Sequence, residues 1–162
     1  MIKRILNKLH ILLKERGLTI SAAESCTGGW IAKLMTDTPG SSKYFLGGVV
    51  AYSNEVKTKA LGIPADLLEK FGAVSEETCR AMCLGVRNLT ASDVAVSVTG
   101  IAGPDGGSPE KPVGTVYAGF CVGEDVFVKL FHFAGNRNAI REKTCRGTLS
   151  YLLSLLKETP NA

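Results

Sequence analysis

The sequence predicts an α/β fold, a single-domain layered α/β/α sandwich with a mixed central sheet. Segments with apolar side chains at helical spacing alternate along the chain with short runs of small and β-branched residues that are typical of buried strands. A length of 162 residues suits one domain with its own core, so we treat 1–162 as a single unit. Hydrophobic residues make up 45% of the chain and charged residues 21%, as in ordinary globular proteins.

The amino-terminal half begins with two helix–strand pairs. Apolar residues from Ile5 to Leu13 recur at helical spacing with lysines on the other faces, and Gly17 ends this helix. Pro39 lies just beyond the second helix and stops it. The predicted elements of this half are a helix at 3–16, a strand at 18–25, a helix at 30–37, a strand at 44–53, and short helices at 54–62 and 64–72.

The carboxy-terminal half opens with a helix whose start is well marked. Ser75 is a good N-cap, and Glu76 and Glu77 suit the positive end of a helix dipole. Gly123 marks a hairpin between two strands. A loop from Gly100 to Gly114 holds five glycines and three prolines. The predicted elements of this half are a helix at 75–89, strands at 93–100, 115–122 and 126–133, and a final helix at 137–157.

Charge and composition exclude several classes of partner. The formal net charge of +4 comes from 19 basic and 15 acidic side chains without a basic run, which argues against a nucleic-acid partner. No apolar run reaches membrane-spanning length, and the basic residues near the amino terminus are interleaved with apolar ones, unlike a signal peptide. The five cysteines are odd in number and lack a Cys-x-x-Cys pair. We therefore expect a reduced, cytoplasmic protein with neither a membrane nor a nucleic-acid partner.

Metal chemistry and histidine-based hydrolysis are both disfavoured. Cys79 and Cys83 lie four residues apart on a predicted helix, but Met82 continues their stripe, which favours core cysteines over metal ligands. Of the two histidines, His10 lies on the first helix away from every candidate turn, and His132 lies in a strand between two phenylalanines, which favours a structural or surface role. The prediction is a site without a metal and without a catalytic histidine.

Three predicted strands end in turns that can form a site. Glycine-rich or polar turns follow Glu24, Tyr52 and Thr99. Ligands of open α/β sheets bind at the carboxyl ends of strands, so we expect these turns to converge on one pocket rather than to be unrelated surface turns. The chain has no Gly-x-Gly-x-x-Gly and no P-loop, but Gly28 and Gly29 at a helix start offer N–H groups to an anion or oxyanion.

The first of these turns contains two adjacent nucleophile candidates, Ser25 and Cys26. A serine without histidine can use a lysine whose pKa is lowered by burial, and Lys57, one turn into the helix after the strand ending near Tyr52, is the candidate base. Cys26 is the alternative, because a thiolate near a helix N-terminus is readily activated. Adjacent residues of an extended segment point to opposite sides, so only one of the two faces the pocket, and spacing does not decide which.

Five motifs together resemble the carboxy-terminal domain of the competence-damage-inducible CinA proteins. They are AAESCTGG, AYSNEVK, GAVSEET, VTGIAGPDGG and KPVGTVY, in that order, within a likeness that runs from about residue 5 to residue 157. The resemblance implies a nicotinamide-nucleotide amidase that hydrolyses the carboxamide of nicotinamide mononucleotide (NMN) to nicotinate mononucleotide and ammonia. It implies no cofactor and no metal. Longer relatives carry a further amino-terminal domain, so this chain resembles the stand-alone form.

The resemblance also assigns roles to individual residues. It implies Ser25 as nucleophile, Lys57 as its base and Tyr52 as a third catalytic residue. The implied substrate-binding residues are Thr27, Gly28 and Gly29 around the oxyanion, Ser42, Thr99 and Gly100 near the pocket, and Arg137 and Arg141 at the 5′-phosphate.

Two other functions compete with a serine amidase. One is a binding module of the same fold that holds a pyridine nucleotide without turnover. The other is an amidase that uses Cys26 in place of Ser25. In each case we expect a small-molecule ligand and a homo-oligomer, most simply a symmetric dimer.

Overall fold

A computed structural model of the chain describes residues 2–159; Met1 and residues 160–162 of the predicted 1–162 domain lie outside this part. The helices are α1 (Ile2–Arg16), α2 (Trp30–Thr36), α3 (Asn54–Leu61), α4 (Ala65–Phe71), α5 (Glu76–Thr90) and α6 (Arg137–Glu158), and a short 3-10 helix spans Ser41–Lys43. The strands are β1 (Ile20–Glu24), β2 (Phe45–Val50), β3 (Val94–Gly100), β4 (Thr115–Val122) and β5 (Asp125–His132).

The five strands form one mixed sheet in the order β2-β1-β3-β4-β5. The strands β2, β1 and β3 are parallel, whereas β4 and β5 run antiparallel to their neighbours. Every residue of β1 and all but the last of β3 are buried, as expected for central strands that are covered on both faces. The predicted hairpin at Gly123 joins β4 to β5 and is confirmed.

One face of the sheet is covered by α1, α2 and α6. Leu9 of α1, Ile31 of α2 and Leu149 of α6 belong to a single apolar cluster with Val96 and Phe120 of the sheet, and all five side chains are fully buried. Burial of side chains of this size stabilises the folded state by about 1.5–3 kcal/mol each.

The opposite face is covered by α3, α4 and α5. Leu61, Leu68 and Met82, one from each helix, pack in a second cluster with Ala95 and Cys121 of the sheet. The predicted three-layer α/β/α sandwich with a mixed central sheet is therefore confirmed. All five cysteines are free and buried, and Cys79 and Cys83 are core residues.

The register of the parallel strands brings three strand ends to one edge of the sheet. Glu24, the last residue of β1, is paired with Val50 of β2 on one side and with Val98 of β3 on the other. The Ser25 N–H donates to Val98 O at 3.0 Å, and the Ala51 N–H donates to Glu24 O at 2.8 Å. The turns after β1, β2 and β3 thus begin side by side, as predicted.

Strand β2 is shorter than the predicted strand at 44–53. It ends at Val50, because Ser53 already caps α3 by accepting a hydrogen bond from the Val56 N–H at 3.2 Å. This early end turns the chain back over the sheet edge within three residues and brings α3 above the end of β1. Within residues 2–159, no helix combines the length and the apolar character needed to cross a bilayer.

Candidate active site

The side chains of Ser25 and Lys57 meet at this edge of the sheet. Lys57 Nζ lies 3.2 Å from Ser25 Oγ, although the two residues are 32 positions apart in the chain. Ser25 is fixed by its backbone hydrogen bond to β3, and Lys57 by its place in the capped helix α3. The serine and lysine that the sequence singled out are therefore in direct contact.

The Lys57 side chain is almost completely enclosed, with 1% of its surface exposed. Its amine donates to Ala51 O at 2.8 Å and to Tyr52 O at 3.3 Å, both in the turn after β2. No carboxylate of the described chain forms an ion pair with it. Burial without a counter-charge disfavours the ammonium form and lowers the pKa of Lys57 below its ordinary value of 10.5.

Cys26 lies in a different environment from Ser25. It is 5% exposed and packs in an apolar cluster with Ala102, Val116 and Ile140. Burial is the largest influence on the thiol and raises the pKa of Cys26 to about 11, so the reactive thiolate is scarce near neutral pH. The structure thus gives Ser25 the contact with the lysine and gives Cys26 a packing role.

The turn after β1 is built around a carboxylate that the sequence reasoning missed. Glu24 is 1% exposed, and its two oxygens accept hydrogen bonds from the hydroxyl of Thr27 and the N–H groups of Gly29, Ile31 and Ala32, at 2.6–3.1 Å. The positive end of α2 therefore binds an internal anion. A detectable signal was present, because an acidic residue precedes Gly-Gly at a predicted helix start.

This arrangement corrects the expected role of the two glycines. The Gly28 N–H donates to Ser25 O at 3.1 Å and the Gly29 N–H donates to Glu24, so neither group is free for an oxyanion. Their positive φ angles, 61° and 92°, are instead what allows the chain to turn this tightly into α2. Within residues 2–159, the N–H groups of Cys26 and Thr27 have no hydrogen-bond acceptor and are the donors of this turn left available.

The two arginines of α6 have different surroundings. Arg137 is exposed, and its guanidinium donates to Gly103 O at 2.8 Å and to the Tyr52 hydroxyl at 2.8 Å. Arg141 is half-buried and donates to the carbonyls of Cys26 and Thr27 at 3.1 and 2.7 Å. Arg137 therefore borders the site from outside, whereas Arg141 holds the turn that carries Ser25.

Tyr52, Thr99 and Gly100 lie at the same edge but make contacts other than those expected. The Tyr52 side chain is 58% exposed, and its hydroxyl accepts from Arg137. The buried Thr99 hydroxyl donates to Ala73 O at 2.7 Å and so anchors the loop before α5. A Cβ at Gly100 would lie 2.7 Å from the Val116 side chain, so glycine here permits the close approach of β4.

Ser42 is not brought to this site within one chain. It lies in the 3-10 helix that precedes β2, and the first residue of β2, Phe45, is paired with Ile20 at the start of β1. Ser25 follows the other end of β1. The parallel register therefore places Ser42 at the opposite edge of the sheet, and its expected position near the pocket is wrong for the single chain.

Comparison with known proteins places this arrangement in a family. A sequence profile of the CinA C-terminal domain matches residues 2–156. The chain belongs to this family. It is 52% identical over 157 residues to a CinA-like protein of Citrifermentans bemidjiense, and 53% identical over 141 residues to one of Geobacter sulfurreducens. These alignments cover 95% and 87% of this chain but 38% and 34% of the relatives, so the chain spans little more than a third of their length.

Solved CinA structures share the whole fold. The competence/damage inducible protein CihA from Agrobacterium tumefaciens superposes with a TM-score of 0.92 at 38% identity, over 95% of this chain and 94% of that one. The competence damage-inducible protein A (ComA) from Klebsiella pneumoniae gives a TM-score of 0.93 at 31% identity, over 96% and 97% of the two chains. The edge that carries Ser25 and Lys57 thus belongs to the fold that these CinA structures share.

Proposed function

We propose that this CinA domain is an amidohydrolase that converts NMN to nicotinate mononucleotide and ammonia, with Ser25 as nucleophile and Lys57 as base. The observation that carries the proposal is the 3.2 Å contact between an enclosed lysine amine and the serine hydroxyl. A lysine can act as a base only when it is neutral, and burial without a counter-charge favours the neutral form.

The three acceptors around Lys57 can satisfy an ammonium, and they also accommodate a neutral amine. Such an amine has two N–H donors and one lone pair, and the carbonyls of Ala51 and Tyr52 can accept both donors. The lone pair is then left for the third neighbour, the hydroxyl of Ser25, which becomes the donor in their 3.2 Å contact. The hydroxyl proton is thereby directed at the group that must remove it.

The reaction divides into an acylation and a deacylation. Ser25 Oγ bonds to the carboxamide carbon while Lys57 takes the hydroxyl proton and the carbonyl electrons move onto oxygen. The tetrahedral intermediate formed in this way then collapses. The C–N bond breaks, and Lys57 returns the proton to the departing nitrogen, which leaves as ammonia. Water then attacks the ester with Lys57 again as base, which releases the nicotinate product and restores the hydroxyl of Ser25. The positive pyridinium ring of NMN makes the carboxamide carbon electron-poor, so the attack is easier.

The developing oxyanion needs a hydrogen-bond donor in the same turn. The N–H groups of Gly28 and Gly29 are already donated, whereas those of Cys26 and Thr27 are not. Of these two we assign the role to the Thr27 N–H, because Arg141 holds its peptide plane through the Cys26 carbonyl. A donor of this kind lowers the barrier by about 3 kcal/mol.

We assign the 5′-phosphate of the substrate to Arg137. Its guanidinium is exposed, and its two partners, Gly103 O and the Tyr52 hydroxyl, are neutral. No carboxylate of the described chain pairs with it, so its charge is available to an anion. A guanidinium can present two parallel N–H groups to a phosphate. In this view, Tyr52 holds Arg137 at the mouth of the site.

The proposal is tested by incubating the purified protein with NMN and a chelator, and by measuring ammonia and nicotinate mononucleotide. We expect both products in equal amounts from the wild type, and none above background from Ser25→Ala or Lys57→Met. Lys59→Met is the matched control, because Lys59 lies in the same helix but is exposed. Binding of NMN without ammonia release would instead identify a non-catalytic binding module.

A further inference from the structure

We infer that Arg141 is a positioning residue that orients the Thr27 N–H, and that it does not hold the substrate phosphate. The inference deepens the proposed function, because it concerns how the Ser25 turn is prepared for reaction. It rests on the contacts that separate Arg141 from Arg137, four residues earlier on the same helix.

The guanidinium of Arg141 is already engaged by the turn. Its Nε donates to Cys26 O at 3.1 Å, and its Nη2 donates to Thr27 O at 2.7 Å. Its centre lies 5.4 Å from the ring of Trp30, within the range of a cation–π contact. A Cβ at Gly28 would lie 3.4 Å from Nη2, so the turn lies directly against the guanidinium.

These two hydrogen bonds fix two successive peptide planes. In a trans peptide the N–H points away from the C=O of the same plane. Because Arg141 holds the Cys26 carbonyl, the Thr27 N–H must point away from the guanidinium. Because it also holds the Thr27 carbonyl, the Gly28 N–H is turned towards its acceptor, Ser25 O. One side chain therefore sets the direction of the proposed oxyanion donor.

A phosphate at Arg141 would undo this arrangement. To bind it with Nε and Nη2, the guanidinium would have to release the carbonyls of Cys26 and Thr27. The Cys26 carbonyl would then lack its donor, and the Thr27 carbonyl would keep only the longer 3.4 Å hydrogen bond from the Trp30 N–H. A phosphate bound at Arg137 would disrupt less, because the hydrogen bonds that Arg137 would give up go to one hydroxyl and one loop carbonyl. An arginine suits position 141 because its planar guanidinium presents two fixed donors to two neighbouring carbonyls. The single ammonium of a lysine does not present the same pair.

The test compares Arg141→Lys with the matched variant Arg137→Lys in two reactions. The first is hydrolysis of NMN, with kcat and KM measured separately. The second is acetylation of Ser25 by p-nitrophenyl acetate, a neutral ester without phosphate. The rate is measured from the nitrophenolate released, mass spectrometry identifies the acetylated residue, and Ser25→Ala gives the background. Removal of an oxyanion donor costs roughly 100- to 1,000-fold in rate, so we expect its misorientation to cost about 10- to 100-fold.

Arg141→Lys is expected to lower kcat and the acetylation rate together, with the KM for NMN within about twofold of wild type. Arg137→Lys is expected to raise the KM and leave acetylation unchanged. A raised KM with wild-type acetylation in Arg141→Lys would make Arg141 a phosphate ligand and overturn the inference. If NMN is not a substrate, the acetylation result still stands, so failure of the proposed function is recognised separately.

A measurement without any reaction completes the test. The Thr27 amide signal in ¹H–¹⁵N spectra should shift in Arg141→Lys and stay in place in Arg137→Lys, and an unmoved signal in the first variant would also overturn the inference. Thermal unfolding of both variants verifies that they fold. Arg141→Gln, which keeps one donor for one carbonyl, replaces Arg141→Lys in the same comparison where the lysine variant does not fold.

Discussion

Lys57 Nζ and Ser25 Oγ are 3.2 Å apart because two parallel strands end side by side and the chain after one of them turns back over the other. The lysine is carried by α3, whose cap at Ser53 begins three residues after β2 ends. The contact is thus a product of strand register and an early helix cap. The proposed chemistry depends on the charge state of this one amine, and the first two predictions concern it.

The pH dependence of the reaction should report the titration of Lys57. The neutral amine is the active form, and burial lowers its pKa below 10.5, so kcat/KM for NMN should rise with pH through this lowered pKa and then level off. The measurement is kcat/KM across the pH range in which the protein stays folded. Lys59→Met should keep the same profile, and a profile without a limb on the acid side would contradict the role of Lys57 as base.

The stability of the protein should depend on pH through the same group. In the window between the lowered pKa of folded Lys57 and the ordinary value of 10.5, the unfolded chain binds a proton that the folded chain does not. Stability therefore rises with pH in this window, by at most about 1.4 kcal/mol per pH unit. Below the window, the folded chain also carries the ammonium, and the free energy of unfolding is reduced by the full cost of burying it.

Lys57→Met removes this titration. In urea unfolding, the free energy of the wild type relative to that of Lys57→Met should increase as pH rises through the window. A difference that does not change with pH would mean that the Lys57 amine has the same pKa in the folded and unfolded chain.

The sequence was sufficient to predict the layers, the meeting of the three turns at one edge of the sheet, and Lys57 as the candidate base. These features follow from apolar periodicity, from capping residues, and from the rule that sites form at the carboxyl ends of parallel strands. The pairing of Ser25 rather than Cys26 with the lysine was left open, because it depends on the rotation of a single turn.

Other parts of the site depend on the paths of long side chains, which spacing does not encode. Arg137 meets the Tyr52 hydroxyl across 85 residues, and Arg141 meets the carbonyl of Cys26 across 115. Glu24 was overlooked because its partners are the first N–H groups of α2, and the sequence reasoning had reserved such groups for a ligand. The position of Ser42 was misjudged because motif likeness carries no information on which end of β2 faces the site.

Cys26 and Ser25 should respond oppositely to removal of their reactive atoms. Ser25→Ala should abolish ammonia release from NMN, whereas Cys26→Ala should retain wild-type kcat within a few fold, because the buried thiol has a pKa of about 11 and packs among apolar side chains. The cost of Cys26→Ala should appear in stability instead, at about 1 kcal/mol for a small buried side chain. Turnover that survives Ser25→Ala and disappears in Cys26→Ala would make the thiol the nucleophile.

Glu24→Gln should destabilise the protein by about 2 kcal/mol and lower kcat for NMN. The carboxylate accepts hydrogen bonds from the Thr27 hydroxyl and three N–H groups at the positive end of α2, and hydrogen bonds to a buried charge contribute about 1.5–3 kcal/mol each. A glutamine offers one acceptor oxygen in place of two, and its NH₂ faces donors that it does not satisfy. Glu77→Gln is the control, because Glu77 lies in the first turn of α5 but is exposed, and its loss should cost no more than about 1 kcal/mol. Urea unfolding of the wild type and the two variants measures the losses of stability, and hydrolysis of NMN measures kcat. Equal losses of stability in the two variants would mean that the buried carboxylate is not what holds the turn of Ser25 in place.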